Sequence, residues 1–409
     1  MKEAGLEKIL RLGRRLIPRQ IFKFFQPGYH WLLAWFFAFR YGRPSNSMVV
    51  IGVTGTKGKS TVVYILTKIL EEAGLAVGAV GSLGFKIRDK EWPNTLKMTM
   101  PGRGLIQALM RRARDQGVTH FILEVTSEGI AQKRHLGINF DVAVLTNIHP
   151  EHIESHGSFE NYVSAKKKLF QKAKKVHVLN GDDKLIDEFT AIPAKKKIIY
   201  QAKDWSNLNL TTNLEGDFNK LNILAATRAA QELGVTLETI QSAITKVKRI
   251  PGRMDFVEKG QPFSIVIDYA HTPDSLRAVY RHLKGKLNEG QKLICVLGAA
   301  GGGRDTWKRP EFGKIADEYC DKIILTNEDP YDEDPHRIIE EVKRGVAVKT
   351  PQVIFDRRQA MRKAMTEAYK GDIVVITGKG SETSIALAQG QKVDWSDRRI
   401  AEELLEEIF

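Results

Sequence analysis

Lys59 and Ser60 close the run Ile51-Gly-Val-Thr-Gly-Thr-Lys-Gly-Lys-Ser-Thr61, and their chemistry is that of a phosphate site. The lysine supplies a point charge for β/γ-phosphates, and the serine hydroxyl suits Mg²⁺. Gly55, Thr56, Lys57, Gly58 and Thr61 complete the loop. The full Walker pattern wants glycine where Val53 stands, so the match is to its G-x-x-G-K-S half. Further along, Glu124 ends an apolar run, where it could ligate Mg²⁺ or cap a helix. His149, His152 and His156 crowd one loop with Glu151 and Glu154, a donor set compatible with a divalent metal or with plain exposure. Asp268 and His271 share the stretch Asp268-Tyr-Ala-His-Thr-Pro273, and Asp268 can accept hydrogen bonds from ribose hydroxyls. Gly298 to Asp305 is a glycine loop with Arg304 at its tip, suited to a bidentate carboxylate grip. Gly378-Lys-Gly-Ser-Glu382 is another glycine loop. Taken alone, Lys166 reads as a surface lysine.

The elements that must hold these residues follow from periodicity. Val49 to Val53 is an apolar, β-branched run, so it reads as a buried strand. Thr61 to Glu71 puts Val62, Ile65, Leu66 and Ile69 on one helical face. Strand, glycine turn and helix together aim backbone N–H groups and a helix N-terminus at a phosphate. Strands are also expected at Phe121–Val125, Val142–Thr146 and Val176–Leu179, and a helix at Leu221–Leu233. Lys248-Arg-Ile-Pro-Gly-Arg253 reads as a joint. After it come strands at Phe263–Asp268, Lys292–Leu297, Lys322–Thr326 and Ile373–Thr377. The expected fold class is α/β. A central three-layer P-loop ATPase domain with a mostly parallel sheet spans 48–250, and a smaller Rossmann-like α/β domain spans 251–409.

The chain has 409 residues, with 42% hydrophobic and 27% charged, ordinary values for a globular protein. Cys295 and Cys320 lie in apolar runs without a partner motif, which predicts reduced core thiols and no zinc site. No cleavable signal is evident, which favours the cytoplasm. The net charge is +14. Residues 1–43 hold nine Lys/Arg and two Glu, or +7, half of that excess. No nucleic-acid-binding signature accompanies it.

Residues 1–47 differ from the rest. Leu6 to Leu16 interleaves apolar residues with Arg11, Arg14 and Arg15, and Trp31 to Phe39 is apolar and flanked by Arg40 and Arg43. The apolar run is about half of a spanning length. It is compatible with a helix packed on the next domain, a peripheral membrane contact through residues 1–43, or a partner-binding helix.

In order, the motifs resemble the Mur ligase family, closest to its MurE-type members. They are Thr54-Gly-Thr-Lys-Gly-Lys-Ser60, Glu124-Val-Thr-Ser127, Thr146-Asn-Ile-His-Pro-Glu-His152 with His156-Gly157, and Tyr162-Val-Ser-Ala-Lys166. The series continues with Gly216-Asp-Phe-Asn219, Gly252-Arg-Met254, Asp268 to Pro273, Gly303-Arg-Asp305 with Lys308-Arg-Pro310, and Gly378 to Glu382. The resemblance implies an ATP- and Mg²⁺-dependent ligase, with two metal sites, that joins an amino acid to a carboxylate of a muramoyl-peptide-like acceptor. Folate-like or other acceptors, and a non-catalytic nucleotide-binding protein at a membrane surface, are the competing readings.

The same resemblance implies the roles. Lys59, Glu124, His152, Lys166 and His271 are the catalytic set, and Ser60, Glu124, His152 and Lys166 the metal set, with Lys166 carbamylated. Asn219, Arg253 and Asp268 would contact ATP together with the loop from Gly55 to Thr61. Thr99, Thr126, Ser127, Gln132 and Arg134 would meet the acceptor. Arg304, Asp329, Gly378 and Glu382 would meet the amino acid. Small-molecule substrates, no nucleic-acid partner and a monomer are expected. Four features depart from the family pattern. Residues 1–47 are too short for its UDP-holding first domain, Glu328-Asp-Pro-Tyr331 replaces Asp-Asn-Pro-Arg, Thr99-Met-Pro101 only partly matches a substrate-contacting Thr-Thr-Pro, and Glu128 stands where histidine is common. Losing that arginine removes a carboxylate grip, and Asp329 leans toward a basic amino acid.

Overall fold

The computed structural model describes residues 19–409 apart from Lys97, His152 and Arg304, without the side chains of 19–25 and Pro27. The amphipathic reading of Leu6 to Leu16 lies outside this range. Two sheets organise the described chain. The first is built from β1 (Val49–Thr54), β2 (Val77–Gly81), β3 (Gly84–Ile87), β4 (Lys90–Trp92), β5 (His120–Glu124), β6 (Val142–Leu145), β7 (Val176–Asn180) and β8 (Lys196–Tyr200). Its order is β4-β3-β2-β5-β1-β6-β7-β8, parallel from β2 to β8, with β3 and β4 antiparallel at one edge.

The second sheet holds β9 (Asp255–Val257), β10 (Ser264–Asp268), β11 (Leu293–Leu297), β12 (Lys322–Leu325), β13 (Gln352–Val353) and β14 (Ile373–Thr377). Its order is β13-β12-β11-β14-β10-β9, with only β9 antiparallel. A separate antiparallel pair, β15 (Ser384–Ala386) and β16 (Lys392–Asp394), follows. Each large sheet is buried on both faces, so both units are three-layered.

The strand β1 shows why. Val50 packs with Phe121, Leu123 and Leu169 on one face. Ile51 and Val53 pack on the other, with Val62 and Leu66 of the helix Lys59–Glu72 and Leu224 of the helix Asp217–Glu232. Each such side chain contributes about 1.5–3 kcal/mol on burial. Gly52 has no room for more, because a Cβ there would stand 2.8 Å from Leu169 and 2.9 Å from Phe140.

The linker between the sheets is pinned rather than loose. Ile250 and Arg253 form an isolated bridge, and buried Asp255 takes Arg249 at 3.2 Å, the Gly252 N–H at 3.1 Å and Arg398 at 2.8 Å.

One expectation changes, and one of the readings left open is met. Cys295 and Cys320 are buried as expected but joined in a disulfide, with Cα atoms 6.0 Å apart. Cys295 lies in β11, and Cys320 follows the helix Lys308–Tyr319 and leads into β12, which pairs with β11. Sheet pairing brings them together across 25 residues, a proximity that no local spacing announces. The segment around Trp31 forms part of a helix, Arg19–Arg40. Its buried His30, Ala34 and Ala38 face inward, and Phe37 lies 3.1 Å from where Gly104 would carry a Cβ. One face of the helix is therefore packed on the helix Arg103–Asp115. No helix among the described residues is long and apolar enough to cross a membrane.

Candidate active site

The phosphate loop connects β1 to the helix Lys59–Glu72, and two of its glycines are obligatory. Gly55 and Gly58 have φ of 149° and 79°. A Cβ on Gly55 would stand 1.9 Å from Thr146 Oγ1, and one on Gly58 2.1 Å from Asn222 Oδ1. The segment after β6 fixes the loop from the side. The N–H of Lys57 donates to Asn147 Oδ1 at 2.8 Å, the N–H of Thr56 to the Asn147 carbonyl at 2.7 Å, and Thr146 Oγ1 to the Lys57 carbonyl at 2.5 Å. Lys59 Nζ donates to the carbonyls of Gly55 and Thr56 at 3.1 and 2.9 Å, which holds the ammonium over the loop. Buried Thr61 continues the helix behind it.

Ser60, in the first turn of the helix that follows β1, stands beside Glu124 at the end of the adjacent β5. Ser60 Oγ donates to Glu124 Oε1 at 3.0 Å, and both residues are buried. Ser82, just after β2, orients that carboxylate. Its N–H donates to Oε2 at 2.8 Å, and its hydroxyl donates to Oε1 at 3.3 Å while lying 2.9 Å from Thr99 Oγ1. Ser82 was missed from sequence because β2 itself was not recognised.

Lys166 is not a surface residue. The helix Phe159–Lys172 carries it beneath the loop, where it is 2% exposed and its Nζ donates to the Gly55 carbonyl at 2.7 Å. The ammonium also lies 4.6 Å from the Tyr162 ring, whose hydroxyl is 2.8 Å from Thr56 Oγ1. Burial first, then the charge of Lys59, holds the amine well below the usual lysine range.

Among the described residues, the histidine-rich loop gathers no metal cage. His149 is exposed, His156 packs edge-on to Tyr162 with ring centroids 5.6 Å apart, and His152 lies outside the described residues. Among the described residues no three His, Cys, Asp or Glu side chains come together for a metal. What remains is a hydroxyl–carboxylate pair beside a phosphate loop, with a buried lysine behind it. That arrangement suits Mg²⁺, which keeps waters and substrate phosphates and needs only one or two carboxylates from the protein.

Glu151 of the same loop is a meeting point. Lys57 Nζ lies 3.2 Å from its Oε1, His271 Nε2 3.8 Å and Lys308 Nζ 3.9 Å. Lys57 comes from the phosphate loop, and the other two come from the second sheet's unit. The N–H of Asp305 donates to Glu154 at 2.7 Å, so the loop that carries Arg304 also reaches this edge, although Arg304 itself is outside the described residues. His271 Nδ1 lies 2.8 Å from the Tyr269 carbonyl, which places the proton on Nδ1 and leaves Nε2 toward Glu151. Partial burial and Lys57 push this ring down from its ordinary pKa.

Several expected contacts are made within the protein instead. Both Asp268 oxygens accept backbone N–H groups, from Met254 and Ala270 at 2.7 Å each. Asn219 donates to the Glu215 carbonyl at 2.7 Å, and the Arg253 guanidinium lies 4.3 Å from the Tyr269 ring. Asp329 accepts Lys379 Nζ at 2.9 Å and the Ala386 N–H at 2.6 Å. Its charge is thus matched from inside, which removes the basis for its lean toward a basic amino acid. Lys379 also pairs with Glu382, whose Oε1 accepts the Tyr269 hydroxyl at 3.3 Å. Gly378, with φ of 104°, abuts Glu328, where a Cβ would stand 2.2 Å from Oε2.

Met100, Arg103, Gln132 and Arg134 form a hydrogen-bonded cluster. Arg134 donates to the Met100 carbonyl and to Gln132 Oε1, the latter at 2.7 Å. Arg103 donates to the Gln132 carbonyl at 2.8 Å and lies 2.8 Å from His30 Nδ1. Thr126 caps the short helix Ser127–Ala131 through the Gly129 N–H, and Ser127 is buried.

Comparison with known proteins gives matches along most of the chain. Two family models match, the Mur ligase middle domain over residues 53–202 and the Mur ligase, glutamate ligase domain over residues 252–380. A UDP-N-acetylmuramoyl-L-alanyl-D-glutamate–2,6-diaminopimelate ligase of Syntrophomonas wolfei is 37% identical over 396 residues, covering 89% of this chain and 80% of its own. A UDP-N-acetylmuramyl-tripeptide synthetase of Roseiflexus is 35% identical, covering 90% and 80%. A solved diaminopimelate ligase structure aligns with a TM-score of 0.59 at 29% identity, covering 88% of this chain and 78% of that one. A Mycobacterium tuberculosis folylpolyglutamate synthase, complexed with ADP and AMPPCP, aligns with 0.68 at 16% identity, covering 84% and 91%, a likeness of fold alone.

Proposed function

The chain belongs to the Mur ligase family, and we propose that it joins an amino acid to a carboxylate of a muramoyl-peptide-like acceptor through an acyl phosphate. The observation that carries this reading is the convergence of Lys59, Ser60, Glu124 and Lys166 on one phosphate loop.

In this reading the γ-phosphate lies over Gly55 to Ser60, where the loop N–H groups and Lys59 meet its charge. Ser60, Glu124, His152 and Lys166 would hold magnesium, which when bound neutralises phosphate charge during transfer. Lys166 is suited to carbamylation. Its depressed pKa favours the neutral amine, whose lone pair attacks CO₂; an N–C bond forms, a proton leaves, and the side chain becomes an anion.

Gln132, Arg134, Thr99, Thr126 and Ser127 line the acceptor end, and an acceptor carboxylate oxygen attacks the γ-phosphorus. The bond to ADP breaks, and an acyl phosphate results. The incoming amine then attacks the acyl carbon, and phosphate departs with the bridging oxygen. Arg304, Gly378 and Glu382 would place that amino acid, with Asp329 acting indirectly by fixing Lys379. Asn219, Arg253 and Asp268 would frame the nucleotide, and His271 would orient the phosphates across from Glu151. Contacts of Glu151 and Glu154 with the second unit serve to exclude water from the acyl phosphate. The reading also includes a monomer and a peripheral membrane contact through residues 1–43.

The test is product mass. Incubation with ATP, Mg²⁺, an amino acid and a UDP-muramoyl dipeptide should yield the acceptor enlarged by one aminoacyl residue. A folded, nucleotide-binding sample that yields no such product with any amino acid or muramoyl acceptor refutes the reading.

A further inference from the structure

We propose that the outer face of the helix Arg19–Arg40 seats the protein on an anionic lipid surface. At 3.6 residues per turn, Trp31, Leu32, Trp35, Phe36 and Phe39 share an arc of about 140°. Four of them are strongly exposed, Trp31 at 53%, Leu32 at 62%, Phe36 at 56% and Phe39 at 62%. The opposite face, with His30, Ala34 and Ala38, is spent on packing against the central unit. The outer rings form a ladder, with centroids 6.5 Å apart for Trp31–Trp35 and 6.1 Å for Trp35–Phe39. The Arg43 guanidinium lies 4.3 Å from the Phe39 ring and 5.5 Å from Trp35. Aromatic rings beside guanidinium groups suit the headgroup layer of a bilayer, and a helix with such a face lies in that layer rather than across it.

Charge selects the occupant. Residues 1–43 carry nine Lys/Arg and two Glu, and no acidic residue occurs between Glu7 and Glu71. The helix and its end carry Arg19, Lys23, Arg40 and Arg43 and no acid, so a second copy on this face would set like charges against each other, whereas an anionic surface gains about 1 kcal/mol per nearby cation. The helix is also tied to the acceptor end, because Arg103 links His30 to the Gln132 carbonyl. The seat thus lies beside the residues that receive the acceptor. It stands independently of the ligase chemistry.

Flotation of the full chain with vesicles tests it, using phosphatidylcholine alone and phosphatidylcholine with phosphatidylglycerol. Binding to the mixed vesicles should exceed binding to the neutral ones by about tenfold or more and fall as salt is raised. A W31S/F36S/F39S variant should lose vesicle binding while keeping its circular dichroism and its ligation rate. Absence of binding by the parent chain, or unchanged binding by the variant, overturns the proposal. So does a concentration-dependent dimer that the variant turns into a monomer, since a second copy then covers the face.

Discussion

Lys166 is the residue whose meaning depends most on its surroundings. A lysine buried under a phosphate loop and close to Lys59 is costly as an ammonium. In the proposed mechanism, conversion to a carbamate would reverse the sign of its charge where a metal calls for an anionic ligand. Replacing Lys166 with alanine should lower turnover by about 10²–10³, the scale of losing one preorganised charge-stabilising group. Short carboxylic acids should restore part of that rate, and a variant as active as the parent would contradict the assignment.

Glu328 offers a second test at the same scale. Burial pushes its carboxyl up from 4.5 to about 7, against the opposing pull of Arg357 and Lys379. An acid whose native pKa is raised gives stability that is complete below its unfolded pKa and lost as pH rises through about 7. The loss is on the order of 3 kcal/mol at most. Urea unfolding of the parent should show this decline between about pH 4.5 and 7, and Glu328→Gln should flatten it. Parallel pH profiles would refute the raised value.

Among the elements, the ones that read clearly in sequence are those whose pattern is unambiguous. β1 and its helix were legible because β-branched residues precede a glycine turn and an apolar stripe at helical spacing follows it. The short strands β3, β4, β9 and β13 were not. They have two to four residues each and form because a neighbour offers a ladder. The disulfide escaped for the same reason, since pairing of β11 with β12 creates it. Among candidate site residues, the phosphate loop stood out from its own pattern, whereas position alone left Glu124 open between a Mg²⁺ ligand and a helix cap. Lys166 needed a family resemblance, and Ser82 had no signal without β2.

The terminal helix Asp397–Ile408 is likewise held by a tertiary feature. Asp397 takes Arg357 through two bonds, at 2.8 and 2.7 Å, with both side chains buried, and it also accepts the Trp395 indole N–H at 2.8 Å. Asp397→Ala leaves an unpaired buried guanidinium and should cost about 3–5 kcal/mol in chemical denaturation. A loss under 1 kcal/mol would mean that water reaches the site.

At the scale of the molecule, two sheets present their loops to one another across Glu151, with Lys57 on one side and His271 and Lys308 on the other. In the proposed reaction such an arrangement would keep water from the acyl phosphate. It would also account for the spread of the assigned residues from Gly55 to Glu382, each unit supplying part of the site. The claim that carbon–oxygen–phosphorus linkage precedes amide formation has a direct measurement. With ¹⁸O in the acceptor carboxylate, the account predicts that released phosphate carries one labelled oxygen per amide formed. Amide formation with unlabelled phosphate would contradict it.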